Sequence, residues 1–232
     1  EYRRQRQMCI RDRGDVARSI KGVGTTIKEI IANKPMLIYI LSYFFYIDGV
    51  HTVISMATTY GTNLGLDSTG LLLALLVTQF VAFPFSILFG RLAEKYDTGK
   101  LILTCIAAYT GITVFAVFMK AQWQFWVLAI FVGMFQGGIQ ALSRSYFAKI
   151  VPPERSGEYF GLMDICGKGA SFMGTTVVGL ASQAFGSINI GVSAIVFLFL
   201  AGALFFMKTE HSGSESTKNQ ENVIMGQQMF HN

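Results

Sequence analysis

The chain has 232 residues, 52 % of them hydrophobic and only 14 % charged, with 20 phenylalanines and a net charge of +5. A soluble domain carries about 25 % charged residues, so a water-soluble globular fold is excluded first. Cys9, Cys105 and Cys166 lie far apart with no CxxC spacing, which argues against a zinc site or a disulfide framework, and no other metal or cofactor motif is expected.

The chain opens on a basic segment, residues 1–33, holding Arg3, Arg4, Arg6, Arg11, Arg13, Arg18, Lys21 and Lys28, with Lys34 just beyond. Because the positive charge gathers here instead of covering a surface, nucleic acid is not the expected partner. The chain begins at Glu1, which reads as a fragment, and EYRRQRQMCIRDR (1–13) reads either as adapter-derived sequence or as a native linker. No secretory leader is expected, since the first apolar segment is too long and lies too far in. Ile20, Ile27, Ile30 and Ile31 form a weak apolar stripe, predicting a short helix on the inner membrane surface.

Six apolar segments follow: Leu37–Tyr60, Thr69–Leu92, Leu101–Met119, Phe125–Phe147, Phe160–Ala184 and Ile188–Met207. Each suits a hydrocarbon core about 30 Å thick, and backbone groups in lipid must be satisfied internally, so helices are predicted. The expected fold is therefore an all-α membrane domain over 34–208, followed by a disordered tail over 209–232. Lys and Arg set the orientation. The second-to-third connection holds Arg91, Lys95 and Lys100, and the fourth-to-fifth holds Lys149 and Arg155. The connections on the other side hold Lys120 alone, which predicts cytoplasmic termini.

Polar residues inside these segments are the candidates for function. Asp48 lies in the middle of the first, where a carboxylate costs about 2.5–3.5 kcal/mol to insert. Thr52, Ser55 and Thr59 share its helical face, and His51 and Thr58 widen it. The second segment carries Thr78, Gln79, Ser86 and a helix-perturbing Pro84; the fourth carries Gln136, Gln140, Ser143 and Arg144; the fifth carries Asp164, Lys168, Ser171 and Thr175. The third and sixth carry no ionisable or amide side chain in their interiors. Four helices are thus expected to line something polar and two to face lipid. Asp48, His51, Thr52, Gln79, Gln136 and Gln140 are candidates for binding a solute or a proton, and Arg144, Asp164 and Lys168 for a gate or ion pair. Plainer readings stand beside these. Ser and Thr commonly bond their own helix, Asp164 and Lys168 can neutralise each other one turn apart, Arg144 can snorkel, and His51 can serve packing. Gly133–Gly137 forms a GxxxG that permits close helix approach, as do Ala170 and Gly174.

GRLAEKYDTGK resembles the cytoplasmic signature of the major facilitator superfamily at Gly90, Leu92, Ala93, Glu94, Lys95 and Lys100, with Asp97 where that pattern prefers Gly. VPPERSG, with Pro153, Arg155 and Gly157, resembles the superfamily's loop two spans later. FFYIDGVHTVISMATTYG, QGGIQALSRSYFAKIVP and YFGLMDICGKGASFMG resemble the autophagy-related vacuole-effluxer branch, bacterial permeases included, over about Lys34 to Met207. The resemblance implies one six-helix half of a twelve-helix transporter. The missing N-terminal half and the lipid bilayer would be its partners, the location a bacterial inner membrane, and Glu94 part of a cytoplasmic latch. It further implies a small polar solute as cargo, with amino acids the expected class and a proton the candidate coupling ion. No nucleotide-binding GxxxxGK[ST], HExxH or GxSG occurs, so an enzyme is not expected. A non-transporting receptor or scaffold on the same fold is the second reading.

Overall fold

The computed structural model describes residues 24–63, 65, 67–186 and 190–209. Expectations for the basic segment before Gly24 and for the tail after Thr209 therefore lie outside the described residues. Within them every regular element is helical. A helix over 24–32 (α1) is followed by α2 (Lys34–Asn63), α3 (Ser68–Lys95), α4 (Thr98–Val117), α5 (Gln122–Ile150), a 3-10 turn (Pro153–Arg155), α6 (Ser156–Phe185) and α7 (Ile190–Thr209).

The breaks between helices follow from local chemistry. The Met36 N–H donates to Asn33 Oδ1 at 3.4 Å, and Pro35 sits in the first turn of α2, where its missing N–H costs nothing. Asp67 caps α3 by accepting from Gly70 N at 2.8 Å. Asp97 caps α4, accepting from Gly99 N at 2.7 Å and Lys100 N at 3.3 Å. The aspartate that departs from the superfamily signature thus has a structural task, satisfying N–H groups that the first turn leaves orphaned. Gly186, at φ 65°, ends α6 in the left-handed conformation that glycine adopts without penalty. The third segment stops earlier than expected: α4 ends at Val117, and Met119 lies beyond it, buried.

By length and composition five helices can cross a membrane: Lys34–Thr62, Ser68–Lys95, Thr98–Val117, Gln122–Ile150 and Ile190–Thr209. The sixth long helix, α6, has 30 residues but is more polar, carrying Glu158, Asp164, Lys168 and several Ser and Thr.

Helices pack as α3 on α5, α2 on α6 and α4 on α5. The GxxxG sits at the first seam. A Cβ on Gly133 would lie 2.6 Å from Thr78 O, and one on Gly137 would lie 2.5 Å from Ala82 O, so both positions require glycine for the backbones to touch. An aromatic knot closes the α2–α5–α7 region. Tyr39 stacks on Tyr146 and Phe147 and meets Phe206 edge-on. The Tyr39 hydroxyl donates to Ser143 O at 2.7 Å, and Tyr46 and Ser143 share a hydrogen bond of 2.7 Å, so the buried phenols are paired as burial demands.

Helix α1 is docked on the protein: Thr26 and Ile30 are buried, while Ile27 and Ile31 face outward. Only part of the expected apolar stripe is therefore free to meet a membrane surface, and Ile20 lies outside the described residues. Burial differs among the long helices. Only 17 % of the apolar window of α3 is buried, against 39 % for α4 and 33 % for α7. The exposed side of α3 is a run of Leu72, Leu73, Leu76, Phe80, Phe83, Ile87 and Leu88.

Candidate solute site

Three helices bring ionisable side chains together in one open pocket. Tyr43, Ile47 and His51 come from α2, Gln140 and Arg144 from α5, and Asp164, Gly167 and Lys168 from α6. The i, i+4, i+8 spacing of the α2 residues places them on one face. Gly167 makes room for the Tyr43 hydroxyl, which lies 3.0 Å from where its Cβ would stand. Arg144 Nη2 donates to Asp164 Oδ1 at 2.8 Å with the two side chains 58 % and 44 % exposed. Asp164 therefore pairs across to α5 and not with Lys168 one turn along its own helix. Lys168 makes no ion pair with a described residue, which leaves the pocket two cations against one carboxylate.

Asp48 does not line this pocket. It is fully buried one residue away, at the α2–α6 seam, where Oδ1 accepts from the backbone N–H of Gly174 at 2.9 Å and from Thr52 Oγ1 at 3.5 Å. Oδ2 is buried with no hydrogen-bond partner among the described residues. A Cβ on Gly174 would run into Thr52 Oγ1 and stand 2.6 Å from Asp48 Oδ1, so this seam requires glycine to admit a carboxylate. The polar face that the sequence presents as one is thus split in two. His51 opens to the pocket between α5 and α6, whereas Thr52 and Asp48 press on Gly174 farther along α6.

The remaining candidates are scattered. Gln136 is half-buried on α5, outside the pocket lining, and its Oε1 has no hydrogen-bond partner among the described residues. Gln79 is exposed on α3, a helix that adds nothing to the pocket, because Thr78 turns inward to Ala74 O and Ala129 O. Most other hydroxyls bond their own helix: Ser55 donates to His51 O, Ser86 to Phe83 O and Thr175 to Ser171 O. Gly90, Glu94, Lys95 and Lys100 are exposed near the junction of α3 and α4. Among the described residues Glu94 forms no ion pair, so the latch expected there has no closed partner here.

Arg155, in contrast, sits at the centre of a clasp. Its Nη1 donates to both oxygens of Glu29 at 2.7 and 2.8 Å, and its Nη2 to Glu158 Oε2 at 2.7 Å and Thr26 Oγ1 at 3.0 Å. Thr26 Oγ1 donates to Glu158 Oε2 at 2.8 Å, and the Tyr159 hydroxyl to Glu29 Oε2 at 2.7 Å. Pro153 and Gly157 flank this centre in the turn and the first turn of α6. Donation from Tyr159 and then from Arg155 holds the Glu29 carboxyl below its ordinary value, while Glu158 and Glu29 raise the Arg155 guanidinium. Sequence reasoning reached Arg155 but not Thr26, Glu29, Glu158 or Tyr159. The contacts that tie Thr26 and Glu29 to Arg155, Glu158 and Tyr159 span 126 to 132 residues, so no local spacing signals them; only the Arg155–Glu158 pair, three residues apart, lies within reach of helical spacing. Tyr43 was findable, lying two four-residue steps before His51.

The family model described as "Vacuole effluxer Atg22 like" matches residues 5–218. The chain belongs to that family. It is 42 % identical over 209 residues to the uncharacterized MFS-type transporter YxiO of Bacillus subtilis, a match covering 90 % of this chain and 49 % of that protein. It is 27 % identical over 190 residues to autophagy-related protein 22-2 of Aspergillus clavatus, covering 74 % of this chain and 30 % of the relative. Autophagy-related protein 22 of Cryptococcus neoformans gives 27 % over 190 residues, with 75 % and 34 % covered. The chain therefore spans about half the length of its bacterial relative and about a third of the fungal ones. Apolar helices and transporter relatives together make it a multi-pass integral membrane protein.

Proposed function

We propose that this chain is one six-helix half of a major facilitator superfamily transporter, with α2 to α7 all crossing the membrane. It would pair with an N-terminal half and move a small polar solute by alternating access. Residues 34–208 would form the membrane domain, with residues 1–33 and 209–232 as cytoplasmic flanks in a bacterial inner membrane. The observation that carries the reading is the pocket in which His51, Gln140, Arg144, Asp164 and Lys168 meet on three long helices. Ionisable groups at membrane depth are costly to place there and suit the recognition of polar cargo. A guanidinium, an ammonium and a carboxylate around one opening complement the two charges of an amino acid, which is the solute class we assign. An exposed Arg144–Asp164 pair can break and reform as the pocket opens and fills. Asp48, with a buried and unpartnered oxygen beside the pocket, is the group we assign to proton coupling.

Reconstitution of the full-length transporter in vesicles tests this reading. An imposed proton gradient should drive saturable amino-acid flux in the wild type. Asp48→Asn, which keeps the size but not the charge, should abolish gradient-driven flux and retain counterflow. Absence of flux from the wild type across an amino-acid panel would favour a receptor or scaffold instead. Wild-type behaviour of Asp48→Asn in both assays would make Asp48 a structural polar group.

A further inference from the structure

We propose that α1 is a detachable strap. Docked by the Arg155 clasp, it restrains the 3-10 turn and the start of α6; released, it frees the end of α6 that carries Asp164 and Lys168. This goes beyond the transport reading and does not depend on it.

The clasp joins three separate pieces of chain. Thr26 and Glu29 come from α1, Arg155 from the turn Pro153–Arg155, and Glu158 and Tyr159 from the first turn of α6. One guanidinium serves both carboxylates, with Nη1 donating to both oxygens of Glu29 and Nη2 and Nε donating to Glu158 Oε2, and it also lies 5.9 Å from the Tyr159 ring centroid. Among the described residues, α1 buries little apolar surface. Among residues 24–32 only Thr26 and Ile30 are buried, and Thr26 is itself a member of the clasp. With Ile30 the one buried apolar side chain of 24–32, docking leans on polar contacts.

Those contacts suit release. The side chains of Arg155, Glu29 and Glu158 are 35–44 % exposed, so water and salt compete for them, and exposed ion pairs are individually weak and screened. Cooperation within the cluster is what makes docking favourable, and loss of one member weakens every other. The consequence reaches the pocket through α6 itself. Glu158 and Tyr159 lie within two turns of Asp164 on one continuous helix, and Arg155 ends the connection from α5, which carries Arg144. Asn33 alone separates α1 from α2, so the strap can swing without unwinding the helix that carries His51.

Hydrogen–deuterium exchange on the full 232-residue chain in lipid nanodiscs tests the proposal, with peptides over 98–117 in α4 as the internal reference. In the wild type at low salt the amides of 24–32 should be protected. Arg155→Ala, and separately Glu29→Gln on α1 itself, should speed their exchange at least tenfold while leaving 98–117 unchanged. Raising sodium chloride to half-molar should shift the wild type in the same direction. Exchange over 156–168 should rise with strap release, by a smaller factor. Unchanged exchange of 24–32 in Glu29→Gln would overturn the clasp, whatever Arg155→Ala does to the fold. Fast exchange of 24–32 with 156–168 unaffected would overturn the restraint on α6.

Discussion

Two helix seams in this protein both depend on glycine, for opposite reasons. At the α3–α5 seam, Gly133 and Gly137 let two apolar backbones touch, and the atoms they make room for are carbonyl oxygens of Thr78 and Ala82. At the α2–α6 seam, Gly174 makes room for side chains, the Asp48 carboxylate and the Thr52 hydroxyl, and supplies an N–H to the former. The first seam is a fixed contact between main chains, which cannot retreat cheaply. The second keeps a polar group dry beside a charged pocket and can be relieved by trimming a side chain. At these two seams glycine marks close approach, and the opposing atom tells whether it serves main-chain packing or a buried polar group; Gly111, Gly161, Gly169 and Gly179, in contrast, would meet nothing with an added Cβ.

The α3–α5 seam should be the harder to disturb without harm. Alanine normally favours a helix over glycine by about 1 kcal/mol, yet here Gly133→Ala and Gly137→Ala should each cost about 1–3 kcal/mol through overpacking. The double variant should lower the thermal midpoint in detergent more than either single change. A midpoint at or above wild type would mean that the helices separate freely and the seam is not a fixed contact.

Gly174→Ala should cost somewhat less, and its cost should be partly removable. Adding Thr52→Ala deletes the hydroxyl that the new methyl would strike, so the double variant should be more stable than the sum of the single effects by about 0.5–1.5 kcal/mol, within the range for contacting residues. Thr78→Ala should give no such rescue of Gly133→Ala, because the obstacle there is a backbone oxygen. Equal rescue at both seams would erase the distinction.

The two arginine clusters sharpen the comparison further. The clasp should respond to acid. Since Glu29 is held below its ordinary value of 4.5 when docked, its contribution to docking is fully present above that value and is lost as pH falls through the docked one. A spin label at Lys28→Cys, with Cys9, Cys105 and Cys166 replaced by Ser, should stay immobile from pH 8 to 5 and loosen below about 4.5. Release between pH 6 and 7 would point to a different titrating group. The Arg144–Asp164 pair should matter least for stability. It is exposed and made by a single hydrogen bond, so Arg144→Gln should change unfolding by less than about 1 kcal/mol while removing amino-acid flux in the full-length transporter. Large destabilisation with flux intact would make the pair a structural staple.

Much of the site was legible because spacing along a helix is spacing in space. Gln140 with Arg144, and Asp164 with Lys168, are four apart and do share a pocket. Spacing failed where one helix face meets two neighbours at once. His51 opens to the pocket between α5 and α6, whereas Thr52 and Asp48 press on Gly174 farther along α6. On α3, Gln79 is exposed and does not line the pocket.

By itself the sequence determined that this chain is a set of long apolar helices, with their starts placed to within a few residues, and which family it belongs to. Each of these rests on composition and short motifs within a few turns of chain. Only the tertiary structure decided that Arg144 pairs with Asp164 instead of Lys168, that Asp48 is sealed by Gly174, and that Arg155 gathers Glu29 and Glu158. Apart from Arg155 with Glu158, three residues on, these partners lie 20 to 126 residues apart, and a charged side chain long enough to reach several helices takes the partner that packing brings within 3 Å.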